Sequence, residues 1–217
     1  MFVFDFSFKN FLKNYKVTAL LIFLVLFNGI ITLVFYGSYN DQSVEKMGAL
    51  VDSNIRELEI WRLFTYSLGH MSVLHLILNL PMIYFLGRPL EKYFGSLNFI
   101  AVTIFISLIT GILITMFHYG IYPLSGSSSF GSGYLGIYFF FILFYSDKFY
   151  KQDYSFLLMI IGSFVISTFV IPDISIVGHI GGFLVGFIVA VIFNTFRKKK
   201  SAESKIEVYP KRSFIAL

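Results

Sequence analysis

Residues 126–136 read Gly-Ser-Ser-Ser-Phe-Gly-Ser-Gly-Tyr-Leu-Gly and open an apolar segment, Tyr134–Tyr145. On a helix, Ser128, Ser132 and Gly136 fall at i, i+4 and i+8 and share one face. That face has almost no bulk, so another helix can approach it closely. A second apolar segment carries a matching face, with His179, Gly182 and Gly186 at i, i+3 and i+7. Packed together, the two faces bring a serine hydroxyl against an imidazole. A serine is a poor nucleophile until a base takes its proton, and histidine does this near neutral pH. The chemistry expected of the pair is attack on a peptide carbonyl.

Many serine hydrolases add a carboxylate to orient the imidazole. All 12 Asp and Glu residues lie outside the apolar spans, with Glu91 just past the end of one. The expectation is therefore a Ser–His dyad, its ring held by packing. An oxyanion also needs donors. His75 and Asn79 stand at i, i+4 on one helix face, and the first turn of a helix opening near Ser128 adds free N–H groups and a positive dipole end. Such donors contribute about 3–4 kcal/mol each in a dry site. Plainer readings exist: Ser, His, Asn and small-residue stripes also hold membrane helices together. His118, alone before a loop, reads as structural. His70-x4-His75 does not read as a metal site, because the spacing puts the rings on different faces and no carboxylate accompanies them.

The elements that must position these residues belong in a bilayer. The chain is 57% hydrophobic and 13% charged, with 28 Phe and a mean hydropathy of +0.78; a soluble domain has about 25% charged residues. There is no cysteine, which excludes disulfides, thiolate ligands and a cysteine nucleophile. No cofactor or metal is expected. Residues 1–16 read as an interfacial lead-in. Residues 17–196 read as one all-α membrane domain with spans at about 17–37, 71–87, 97–117, 127–145, 155–171 and 176–196, a long outer loop at 38–70 and short connections elsewhere. The first run spans rather than being cleaved, since no A-x-A-like site follows it. Residues 197–217 read as a basic, mobile tail.

Charge sets the expected orientation. With the N-terminus cytoplasmic, fourteen of the 17 Lys and Arg residues fall inside: Lys9, Lys13, Lys16, Arg88, Lys92, Lys148, Lys151 and the seven from Arg197 onward. Lys46, Arg56 and Arg62 fall outside. This bias predicts a multi-pass cell-membrane protein with both termini cytoplasmic. It also accounts for the net charge of +5 without nucleic acid. His75, Ser128 and His179 then converge near the outer face.

These blocks together resemble the rhomboid family of intramembrane serine proteases, over about Trp61 to Phe196. Trp61-Arg62 with Phe64-Thr65 resembles the family's first-loop motif. His70-x4-His75-x3-Asn79 matches its second-helix signature. Gly87-x3-Glu91-x3-Gly95 resembles the turn that follows. His179-x2-Gly182-x3-Gly186 matches its sixth helix. The resemblance implies a six-transmembrane-helix rhomboid-like bundle, with Ser128 as nucleophile and His179 as general base and acid. It implies an oxyanion hole of His75, Asn79 and the Ser128 N–H, with His70 as a structural neighbour. Trp61, Arg62 and their loop would lie partly in the outer leaflet. The span at 155–171 and the loop Pro172–Ser175 would form a lateral gate for transmembrane protein substrates.

The family pattern G-x-S fits Gly126 and Ser128, with Gly133 and Gly136 on its later glycines. Ser132 is the rival nucleophile, but Phe130 stands where its leading glycine belongs. Choosing Ser128 puts Ser129 where glycine is usual, and Ser132 where an aromatic often stacks on the catalytic histidine. An inactive relative that binds membrane clients is the alternative function. A cation-coupled transporter is disfavoured by the lack of an embedded carboxylate.

Overall fold

A computed structural model describes residues 7–51, 57–117, 122–170 and 174–203. Nine helices are found among these residues: α1 Phe8–Asn14, α2 Lys16–Tyr36, α3 Asp41–Lys46, α4 Arg62–Thr65, α5 Val73–Phe94, α6 Ser96–Phe117, α7 Ser128–Tyr145, α8 Lys151–Val170 and α9 Ile176–Glu203. A 3-10 turn, Ser146–Lys148, links α7 to α8. Six of the helices, α2 and α5–α9, are long and apolar enough to cross a membrane. The protein is an all-α bundle of membrane spans.

The bundle is arranged around α7, whose apolar stretch is 72% buried, against 11% for α8. Composition explains why α7 can sit centrally. On its first turns Gly131, Gly133 and Gly136 leave room for neighbours, and on its later turns Phe140 and Phe141 fill the core. A Cβ on Gly136 would collide with the Phe183 carbonyl of α9, and one on Gly186 would collide with the Gly133 carbonyl. A Cβ on Gly182 would collide with the Ser129 carbonyl and the Ser132 hydroxyl. The two helices thus touch backbone to backbone, which only glycine permits.

A buried charge fixes the opposite end. Glu91 is 1% exposed. Its carboxylate accepts from Val17 N–H at 2.9 Å, Thr18 N–H at 2.8 Å, the Thr18 hydroxyl at 2.8 Å and the Ser96 hydroxyl at 2.7 Å. It therefore caps α2, where free N–H groups and the helix dipole favour an anion. Gly87, one turn earlier, lets Thr18 approach to 3.3 Å of its Cβ position. The Gly87-x3-Glu91 spacing is the physical signature of this clamp.

Some boundaries differ from the sequence reading. The helix expected to end at Gly87 continues to Phe94, so Glu91 lies within its last turns. Arg88 does not stop it, because its guanidinium lies over the Tyr84 ring, 4.0 Å from the centroid. The last helix runs past Phe196 to Glu203, since Arg-Lys-Lys-Lys-Ser-Ala-Glu contains no breaker. The long loop holds α3, with an Asn40–Ser43 capping box, and α4. The ends of the lead-in and tail, the Arg56 stretch, His118 and residues 172–173 of the Pro172–Ser175 loop lie outside the described residues.

The contact geometry predicts that Gly186→Ala destabilises the protein by about 1–3 kcal/mol, because a methyl group cannot enter this backbone contact. Gly162→Ala, on α8 with nothing within 4 Å of its Cβ position, should leave stability unchanged or raised. Thermal unfolding in detergent measures both, and equal effects would contradict the packing.

Candidate active site

Ser128 opens α7, where its N–H belongs to the first turn and has no earlier turn to supply a carbonyl. Its side chain is half-buried. Among the described residues its hydroxyl makes no hydrogen bond. The point where a Gly126 Cβ would sit lies 3.3 Å from the Ser128 Oγ, 3.3 Å from the His75 Nε2 and 2.8 Å from the His75 Cε1. Any side chain at 126 would fill the space that serine and imidazole share. This is a direct physical reason for glycine two residues before Ser128.

His75 and Asn79 lie on one face of α5, as their spacing predicts. The Asn79 side chain is buried and its Nδ2 donates to the His75 carbonyl at 2.8 Å. That leaves the second amide hydrogen for another acceptor. His70 meets His75 edge to face, with centroids 5.0 Å apart. The His70 Nε2 lies 3.0 Å from the Ser127 Oγ. His70 thus ties the chain before α5 to the residue just ahead of α7.

His179 sits on the first turn of α9, one turn above Gly182. Its Nδ1 lies 2.8 Å from the Thr168 Oγ1 of α8. Its ring stacks on Phe164, with centroids 4.8 Å apart and planes 27° from parallel. The aromatic contact missing at position 132 is therefore supplied from another helix. His179 makes no hydrogen bond to Ser128 in this state.

Ser132 has a different setting. It is fully buried, donates to the Ser129 carbonyl at 2.8 Å, and packs on Gly182. Its hydroxyl proton is committed inside the helix contact.

The long loop positions the start of α7. Arg62 is buried and donates to the Glu45 carbonyl at 2.6 Å and the Ala49 carbonyl at 2.8 Å. This holds the chain that pairs Leu50 with Leu124. The Tyr66 carbonyl then accepts from Gly126 N–H at 2.9 Å and the Ser125 hydroxyl at 2.8 Å. Trp61, the neighbour of Arg62, is 56% exposed. The site therefore lies where α5, α7 and α9 all begin. Three helix N-termini favour a developing negative charge there.

The family model described as Rhomboid domain matches residues 57–196. The chain belongs to the rhomboid family. It is similar to the Rhomboid protease GluP of Bacillus subtilis (strain 168), with 30% identity over 171 residues, 79% of this chain and 32% of the relative. It is similar to the Rhomboid-like protease 3 of Toxoplasma gondii, with 33% identity over 109 residues, 49% of this chain and 41% of the relative. It is also similar to the Rhomboid protease GlpG of Enterobacter sp. (strain 638), with 42% identity over 55 residues, 25% of this chain and 20% of the relative. The chain spans less than half the length of each of these curated relatives.

Within this rhomboid fold, sequence reasoning missed Thr168 and Phe164. The available signal was Ser167-Thr168 as a polar pair in an apolar span, with an aromatic one turn before it. It also did not foresee Tyr66 as the anchor of the segment ahead of Ser128.

Burial, with His75 alongside, holds the His70 imidazole down to about 3. The unfolded chain binds its proton near pH 6.5. The folded protein does not until about pH 3, so His70 lowers stability as pH falls through this window and has no such effect above it. Unfolding of wild type and His70→Gln should diverge in pH slope between pH 6.5 and 5, with the wild type steeper. Parallel slopes would contradict a neutral buried His70.

Proposed function

We propose that this chain is an intramembrane serine endopeptidase that cleaves transmembrane protein substrates with a Ser128–His179 dyad. Ser128 attacks the carbonyl carbon of the scissile bond. His179 takes its proton and returns it to the leaving amine. His75, Asn79 and the Ser128 N–H donate to the oxyanion. The observation that carries this reading is the setting of Ser128: an uncommitted hydroxyl at the head of α7, beside His75. The glycine contact sets α9, and with it His179, at the same end of the bundle. The committed proton and full burial of Ser132 support Ser128 over its rival.

The substrate class follows from the membrane setting. A helical substrate hides its carbonyls in its own hydrogen bonds, so cleavage requires local unwinding. The charge bias supports cytoplasmic termini, which puts the site near the outer face. Peptide hydrolysis needs water there, and a site at the head of three helices lies where water can reach it.

One observation favours a second reading, a client-binding relative without activity: Ser128 and His179 are not hydrogen-bonded to each other here. Catalytic hydrogen bonds are often loose before substrate binds, and the intact set of residues supports the enzyme.

Cleavage of a single-span substrate by purified protein decides between them. Wild type should cleave it. Ser128→Ala and His179→Ala should fall by at least about 10³-fold, since dyad members act as a unit. Ser132→Ala should stay within about tenfold. A fluorophosphonate should label Ser128 in wild type and fail to label His179→Ala. Loss in Ser132→Ala alone would move the nucleophile, and a wild type that binds substrate without cutting it would support the client-binding reading.

A further inference from the structure

The Thr168 hydroxyl has one proton and two close neighbours. The Phe164 carbonyl, on its own helix, lies 2.7 Å away and can only accept. The His179 Nδ1 lies 2.8 Å away and can donate or accept. The hydroxyl proton satisfies the carbonyl, so the ring donates to the oxygen. That leaves His179 protonated on Nδ1, with its lone pair on Nε2.

We propose that Thr168 is a positioning residue that fixes the His179 tautomer and so keeps Nε2 free to take the Ser128 proton. This rests on the dyad assigned above. Thr168 does here what a buried carboxylate does in other serine hydrolases. Unlike a carboxylate, a hydroxyl places no charge in an apolar span, where an ion is costly. Phe164, one turn before Thr168 on the same face of α8, holds the ring plane by stacking. Both side chains that orient the imidazole therefore come from one helix.

The burial pattern gives this arrangement a consequence. Thr168 is 3% exposed and His179 8%, yet α8 as a whole is the least buried of the spans. The ring is aligned only while α8 sits against α9. The position of the least buried span and the readiness of the base are one variable.

The tautomer can be read directly. The chain has 4 His residues, so protein labelled with ¹⁵N at histidine gives few ring signals, and His179→Ala identifies those of His179. Wild type in micelles should show Nδ1 protonated and Nε2 unprotonated. Thr168→Val, which keeps the shape and removes the acceptor, should move the proton onto Nε2 in a large share of molecules. Thr168→Ser should keep the wild-type pattern. In cleavage assays Thr168→Val should lower kcat by about 10–100-fold, the loss of a hydrogen bond to an ionising group, with KM within about twofold. Thr168→Ser should recover activity to within about threefold of wild type.

A wild-type proton on Nε2 would overturn the proposal. So would a Thr168→Val protein with unchanged tautomer and kcat, or a Thr168→Ser protein as impaired as Thr168→Val. If wild type cleaves nothing, the enzymatic reading fails, while the nitrogen signals still decide what Thr168 does to the ring.

Discussion

The Gly133 carbonyl and the Gly186 Cα occupy space that a single methyl group would fill. This backbone contact sets the axial register of α7 against α9, and the site follows from it. Both helices begin at the same end of the bundle, so the residues of their first turns share one level. Membrane helices gain nothing from burying apolar surface against lipid, so dispersion and fit must hold them. A contact made by main chain alone is as close as two helices can come.

Two polar clamps hold the rest of the frame. At one end, Glu91 uses both carboxylate oxygens to cap α2 and bind α6. At the other, Arg62 and the Tyr66 carbonyl hold the long loop and the residues before Ser128. Each clamp satisfies a buried charge or carbonyl whose desolvation would otherwise cost several kcal/mol. At that second end the heads of α5 and α9 are capped by the Ser72 and Ser175 hydroxyls, whereas the head of α7 has no side-chain cap and leaves the Ser128 N–H as a donor. Chemistry on a carbonyl needs donors of that kind. In this rhomboid scaffold polar groups serve the architecture at both ends, and the Ser128 N–H lies beside the clamp made by Arg62 and the Tyr66 carbonyl.

Much of this was legible in the sequence because it is written in residue types that have few uses. Gly182 and Gly186 at helical spacing pointed to close approach, and the partners they meet are the small residues of α7. Gly126 before Ser128 is explained by the shared space of Ser128 and His75. The extent of α5 was less legible, because Arg88 and Glu91 look like helix-ending charges until their partners, Tyr84 and the head of α2, are known. The imidazole's support was hidden for a similar reason. Neither an orienting carboxylate nor an aromatic at position 132 of α7 is present, and a threonine in an apolar span looks like ordinary packing. Only the fold shows that Thr168 and Phe164 reach His179 from a helix that is otherwise exposed.

The most direct measurement uses an aminochloroisocoumarin, which acylates a serine and then alkylates a histidine within reach of the same small ring. Mass spectrometry of the digested adduct reports which two peptides it joins. One bridge is expected, between the peptide carrying Ser128 and the peptide carrying His179. A bridge that starts from Ser132, or one that ends on His70, His75 or His118, would contradict it.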